Sequence, residues 1–246
     1  MTAPRESAAH EDPFSRTRAL IGDEAIQRLR ATRAAVFGLG GVGSFAFETL
    51  VRAGIGTIYA VDADVIMPSN LNRQLFALTD ALGRPKAQLA RERAHRIDPA
   101  VQVIPLQTFV DADNLDAILD QRVDCAIDAI DAVPSKVALL HALHARRIPF
   151  VASLGAARRL DPTRVRVADL FATTHCPLAR AIRKGLRARG ISGGVRCVFS
   201  DEPARPLGER DAQLLGSMMP VPATMGVMAA GVLLQALIAP APQDQG

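Results

Sequence analysis

The sequence has no tryptophan, one tyrosine and only 4% aromatic residues. A surface that stacks unpaired bases needs aromatic platforms, so stacking is not the main basis of any nucleic-acid contact here. Cysteine is scarce too. Cys125, Cys176 and Cys197 lie far apart and form no CxxC pair, which argues against a disulfide framework and a four-cysteine zinc site. A reducing cytoplasm suits such thiols. The first thirteen residues, MTAPRESAAHEDP, lack the apolar run of a signal peptide and are expected to form a flexible tail. Charge is missing from Leu214 to Gln243. Pro220 and Pro222 break that run and leave a helix expected from about Ala223 to Ala239, at the short end of the ~17–25 residues a membrane span needs. Burial in a core or a dimer contact is the reading taken, ahead of membrane contact.

What is present points to one large α/β domain: 246 residues, 49% of them hydrophobic. The net charge of +4 and a sequence pI near 9.4 mildly favour an anionic partner. Strand and helix patterns alternate. RAAVFGLG, GTIYAVDAD, VQVIPLQ, DCAIDAID and PFVASLGA read as strands; SFAFETLVRAG, RPKAQLARERAHRID, NLDAILD and SKVALLHALHARR read as helices. That register predicts a mostly parallel, Rossmann-like sheet with helices on both faces, and puts ligand loops at the carboxyl ends of strands. After about Ala157 the pattern loosens. RVRVADL is a further strand candidate, and the rest is expected to be loops and two helices.

Gly38, Gly40 and Gly43 fill GxGxxG between a strand and a helix, with Gly41 inside the turn. Such a turn brings backbone N–H groups and a helix N-terminus to a phosphate. Asp62 ends the next strand, nineteen residues after Gly43, where an acid accepts hydrogen bonds from ribose hydroxyls. A dehydrogenase and an adenylating enzyme share these features. The following stretch, DADVIMPSNLNRQLF, separates them. It gathers Asp62, Asp64, Asn70, Asn72, Arg73 and Gln74, and Lys86 comes thirteen residues after Arg73. Asp128 and Asp131 sit at the exit of the fourth strand. Hydride transfer needs no such set, because its cofactor's phosphates only anchor. Cleaving a phosphoanhydride does need cations and an acid for Mg²⁺, because charge builds on the leaving pyrophosphate. The bland alternatives are solvated charge for Arg73 and Lys86 and a helix N-cap for Asp131.

GLGGVGS, the D-x-D of Asp62 and Asp64, NLNRQ, GRPKA and DAID together resemble the ubiquitin-activating-type fold of ThiF and MoeB. FSRTRALIG, NLNRQLFAL, HRIDP, DPTRVRVADL, PLARAIRKGLR and CVFSDEP make the chain similar to one branch, the tRNA threonylcarbamoyladenosine dehydratases. The resemblance runs from about Phe14 to Ile238. It implies that Gly38 to Gly43 cradle ATP, Asp62 holds the ribose, Arg73 and Lys86 neutralise the triphosphate, and Asn70, Asp64 and Gln74 surround it. It implies Mg²⁺ at Asp131 and a homodimer in which Arg16 reaches the partner's nucleotide. The implied division is a tail over 1–13, an ATP-binding core over 14–165 and a substrate and dimer region over 166–246. The implied reaction is adenylation of the carboxylate of threonylcarbamoyladenosine at tRNA position 37, then ring closure with loss of AMP. The rival is adenylation of a sulfur-carrier or ubiquitin-like protein's C-terminus.

The chain departs from this pattern in places. The zinc cysteines of MoeB-like proteins are absent. Cys176 stands in THCPLA, where the branch carries an acid. Cys197, in RCVFS, is the better candidate for a role in sulfur relay, but a small buried apolar residue is the reading taken. PLARAIRKGLRARG places Leu178, Ile182 and Leu186 on one helical face. Arg180, Arg183, Lys184 and Arg187 are expected on the other, as a tRNA phosphate-binding face far from the phosphate turn in sequence.

Overall fold

The computed structural model describes residues 12–206 and 216–239. The expected N-terminal tail, up to residue 11, lies outside the described residues. Helix α1 (Ser15–Ala31) leads into β1 (Arg33–Phe37), α2 (Gly43–Ala53) and β2 (Thr57–Val61). Then come α3 (Lys86–Ile97), β3 (Gln102–Leu106), α4 (Leu115–Leu119), β4 (Cys125–Asp128), α5 (Val133–Ala145) and β5 (Phe150–Ser153). The chain continues through β6 (Val165–Asp169), α6 (Pro177–Arg187), β7 (Arg196–Ser200) and α7 (Pro220–Ile238).

The strands form one seven-stranded sheet in the order β3-β2-β1-β4-β5-β7-β6. Every pairing is parallel except β6 with β7. The order reverses between β1 and β4, which opens the crevice where ligands bind in such sheets. Pro105 lacks a ladder donor and is tolerated because β3 is an edge strand. Strand residues alternate between the faces. Ala34, Val36, Ile58, Ala60 and Ile127 pack with α1, α2, α3 and α7. Ala35, Phe37, Tyr59, Val61 and Ala126 pack with α4 and α5 on the other side.

Two readings of the later chain need correction. RCVFS forms β7, a central strand, so regular structure continues past Ala157. Pro220 and Pro222 do not delay the last helix; both lie in the first turn of α7. There a missing N–H costs little, because first-turn donors have no intrahelical partner. α7 is long and apolar enough to cross a membrane by length and composition. Its apolar residues Val221, Met225, Ala229 and Leu233 belong to the core against α2. A Cβ at Gly226 would lie 2.2 Å from the Val42 carbonyl, so α7 crosses the start of α2 at the distance only glycine permits.

Two charged contacts fix the elements around the crevice. Lys136 and Asp128 are both fully buried, with Nζ 2.7 Å from Oδ2. Lys136 also donates to the Ile130 carbonyl, and Asp128 Oδ1 accepts from the Ile130 N–H. The pair thereby shapes the β4–α5 loop. Separately, Glu48 of α2 accepts hydrogen bonds from Arg93 of α3 and from Arg52. Burial pushes its carboxyl up, but the bonds from Arg93 and Arg52 outweigh burial and leave it below the usual range.

Removing one member of a buried pair strands the other charge. Lys136→Met should therefore cost about 3–5 kcal/mol in denaturant unfolding, and adding Asp128→Asn should recover most of it. A double variant as unstable as the single one would contradict this. Glu48, being lowered, lends stability that is present above its unfolded value and lost as pH falls through the folded one. The stability gap between wild type and Glu48→Gln should be full at pH 7 and shrink below about pH 4.5. A gap independent of pH would rule out the ionic account.

Candidate active site

A cavity of about 870 Å³ opens at the carboxyl ends of the strands. Its first wall is the turn after β1. A Cβ on Gly43 would lie 1.7 Å from the Gly38 carbonyl, and one on Gly38 would lie 2.7 Å from the Ala129 carbonyl. Packing therefore dictates glycine at both positions. Gly40 differs: its nearest neighbour to an added Cβ would be Gln74 Nε2, at 3.8 Å. The protein itself leaves room there, and the room faces the cavity that Gly40 lines. Ser44 Oγ donates to the Gly40 carbonyl and accepts from Leu75 N–H, stitching the turn to the NLNRQLF loop.

Asp62 is held from both sides. Leu39 N–H donates to one oxygen at 2.6 Å and Asp64 N–H to the other at 2.8 Å. Burial pushes its carboxyl up, against the pull of Lys86 and these two donors. Lys86 opens α3 and is buried, with Nζ 2.7 Å from Asp64 and 3.8 Å from Asp62. An ammonium has three donor hydrogens, so it can serve a further acceptor. Asn70 Oδ1 accepts the Met67 N–H and closes the short 3-10 turn beneath the loop. Arg73 is half-buried and braced by the Ser69 carbonyl and Asn72 Oδ1. Gln74 is buried and lines the cavity, and its Oε1 has no partner among the described residues.

Asp131 is exposed and lines the same cavity. α5 begins at Val133 with no side-chain cap, so Asp131 is not the N-cap that sequence spacing allowed. Asp128, its sequence companion, is committed to Lys136 and is not available to a ligand. Lys136 went unnoticed in the sequence. A signal was there: it heads the stripe Leu139, Leu140 and Leu143 at i+3, i+4 and i+7, which places a lysine on the buried face. Arg16 is exposed in the first turn of α1 and does not line the cavity of its own chain.

The far wall holds residues that sequence spacing did not flag. Ser135, Ser153, Arg159, Pro177 and Leu178 all line the cavity. Cys176 joins them as the N-cap of α6, where its Sγ accepts the Ala179 N–H. That is a capping role, which an acid would also fill. Cys197 is fully buried in β7, and burial pushes its thiol up to about 12. It behaves as a small apolar side chain and is unsuited to a relay that needs a thiolate.

The basic helix also needs correction. Its buried residues are Ala179, Ile182 and Leu186, while Leu178 reaches the cavity wall. The start of α6 is therefore part of the site, although far from the phosphate turn in sequence. Arg183 does not share a free basic face. Its Nη1 donates to the Leu170 carbonyl and to both the carbonyl and hydroxyl of Thr173. The Arg187 guanidinium lies 5.3 Å from the Phe171 ring centroid. Arg180 and Lys184 are exposed.

The glycine turn, Asp62, Arg73, Lys86 and Asp131 thus share one cavity. Comparison with known proteins shows what the whole chain is similar to. A tRNA threonylcarbamoyladenosine dehydratase of Bacillus subtilis is 37% identical over 239 residues, covering 92% of this chain and 94% of the relative. The crystal structure of the E. coli tRNA N6-threonylcarbamoyladenosine dehydratase in complex with ATP matches with a TM-score of 0.88 at 35% identity, over 94% of this chain and 96% of that one. The E. coli molybdopterin-synthase adenylyltransferase is 33% identical, but over only 57% of this chain and 54% of the relative. The match to the family itself spans residues 14–245, and the chain belongs to the ThiF family.

Proposed function

We propose that this chain uses ATP to adenylate the carboxylate of threonylcarbamoyladenosine at position 37 of tRNA and so drives its cyclisation. The observation that carries the reading is the single cavity that joins a phosphate-binding turn, Asp62, two cations and the free carboxylate of Asp131. The full-length likeness to dehydratases, against a half-length likeness to a carrier-protein adenylyltransferase, supports tRNA as the substrate.

The chemistry needs positioning more than a protein nucleophile. Asp62 would accept the ribose hydroxyls, and the N–H groups of the glycine turn would face the phosphates. A substrate carboxylate oxygen attacks the α-phosphorus. The bond to pyrophosphate breaks, and pyrophosphate leaves with the electron pair. Arg73 and Lys86 stabilise that charge. A nitrogen of the modification then attacks the activated acyl carbon and AMP departs. Oxygen from the carboxylate leaves on AMP, so the nucleoside loses one water overall. Mg²⁺ fits the donor set, since it commonly takes one or two carboxylates plus substrate phosphates. Asp131 would hold it, and the ion would neutralise charge on the phosphates. In a homodimer, Arg16 would serve the partner's site, which agrees with its place outside its own cavity.

Lys86→Ala should lower AMP formation with modified tRNA by ~10²–10³ while the protein stays folded. Gly40→Ala should fold normally and bind ATP poorly, because its methyl enters the phosphate space; Gly43→Ala should lose stability as well. ATP–pyrophosphate exchange stimulated by a carrier-protein tail and not by modified tRNA would overturn the proposal.

The corrected basic face makes a separate prediction. Changing Arg180 and Lys184 to Gln should weaken tRNA binding and reduce the log–log salt slope by up to ~0.9 per lost phosphate contact. Arg183→Gln should instead lower the unfolding midpoint. An unchanged salt slope in the double variant would place the docking surface elsewhere.

A further inference from the structure

Arg159 is an anomaly in the far wall of the cavity. It is only 3% exposed, yet it forms no ion pair among the described residues. Its Nη1 donates to the Ala157 carbonyl and its Nη2 to the His175 carbonyl. Its buried Nε–H has no partner among the described residues. A guanidinium stays charged at any physiological pH. Burying one against neutral carbonyls alone is costly, so such a group calls for an anion.

The backbone around it is held in place by several hydrogen bonds. Arg158 takes a left-handed conformation with φ of 64°, rare for a residue with a side chain. Its N–H donates to the Gly216 carbonyl, its carbonyl accepts from Arg205 N–H, and its own Nε donates to the Arg205 carbonyl. On the other side, Glu202 accepts the N–H groups of Leu160 and Asp161. Strain that the surroundings hold in this way is typical of sites that position a ligand. The start of α6, an eleven-residue helix, lines the same wall and adds partial positive charge.

The sheet order says which anion. Across the crevice the loops follow in the order β2, β1, β4, β5. They carry Asp62, the glycine turn, Asp131 and then the Arg159 segment. From β1 to β5 is two strand spacings, roughly 10 Å. Ribose and phosphates belong to the β2 and β1 side, which leaves the β5 side for the second reactant. We propose that Arg159 receives the carboxylate of the acid to be adenylated and presents it to the α-phosphate. This rests on the adenylation reading above and adds the residue that selects for the acid.

The test uses the full chain and two anticodon stem-loops, one carrying threonylcarbamoyladenosine and one unmodified. Wild type should bind the modified loop more tightly, and Arg159→Gln should erase that preference, a loss of about 10- to 100-fold. ATP affinity and binding of the unmodified loop should stay within about twofold of wild type. A merely structural role would weaken both loops alike, and a preference that survives overturns the assignment. Should the glutamine variant fail to fold, Arg159→Lys decides, because it keeps the charge and loses the planar fork. Its preference should fall while unmodified binding holds, and an undiminished preference overturns the proposal. Wild-type protein that forms no AMP with the modified loop would count against the adenylation reading instead.

Discussion

The Lys136–Asp128 pair is the constraint on which the site stands. Both groups are sealed from water, so their attraction is unscreened and their geometry is fixed. The pair holds both polar groups of Ile130, and the loop from Ala129 to Ala132 is wrapped around it. Two consequences follow from that one loop. Ala129 presses on the glycine turn closely enough to forbid a Cβ at Gly38. Asp131, two residues on, is turned outward into the cavity. A charged pair in the core thus sets the distance between the phosphate turn and the carboxylate opposite it. An apolar pair of similar volume would avoid the cost of burying two charges, but it would leave the Ile130 N–H and carbonyl without partners, at about 1–3 kcal/mol each.

Around that floor, helices point their N-termini inward. α2 starts at the glycine turn, α3 at Lys86, α5 just after Asp131 and α6 at Pro177. Each contributes partial positive charge within its first turn. The cavity is therefore positive from backbone alone, before Arg73, Lys86 and Arg159 are counted. Asp62 and Asp64 are the counterweight, and the cost of burying Asp62 appears as its raised carboxyl. A site of this kind suits a reaction in which negative charge is bound at the start and grows during the step.

Much of this was legible in the sequence, and the reasons are specific. The strands from Arg33 to Ser153 could be read because each is a short apolar run followed by a helical pattern. The glycine turn could be read because its spacing has a steric cause, visible in the 1.7 Å approach at Gly43. β7 could not, because no helical pattern follows RCVFS, and the strand is ordered by its neighbours β5 and β6. The basic face of α6 was misread for a related reason. Helical spacing tells where Arg183 points, but not that Thr173 waits there with two oxygens. Arg159 was invisible for the opposite reason: nothing local distinguishes it from Arg158, and only burial separates a structural arginine from one that needs an anion.

That last distinction separates two kinds of positive charge. Arg93 and Arg164 have carboxylate partners within the fold, and their charge is spent on holding elements together. Arg73, Lys86 and Arg159 line one cavity, and each keeps donors that no described residue uses. Two of the cysteines, Cys125 and Cys197, are buried with thiols pushed up to about 12, and the third, Cys176, caps α6. Such cations can gather two anions, a phosphate ester and a carboxylate, that would otherwise repel. That repulsion is one physical obstacle to forming an acyl adenylate. The positive wall on each side of Asp131 is what the fold supplies against it.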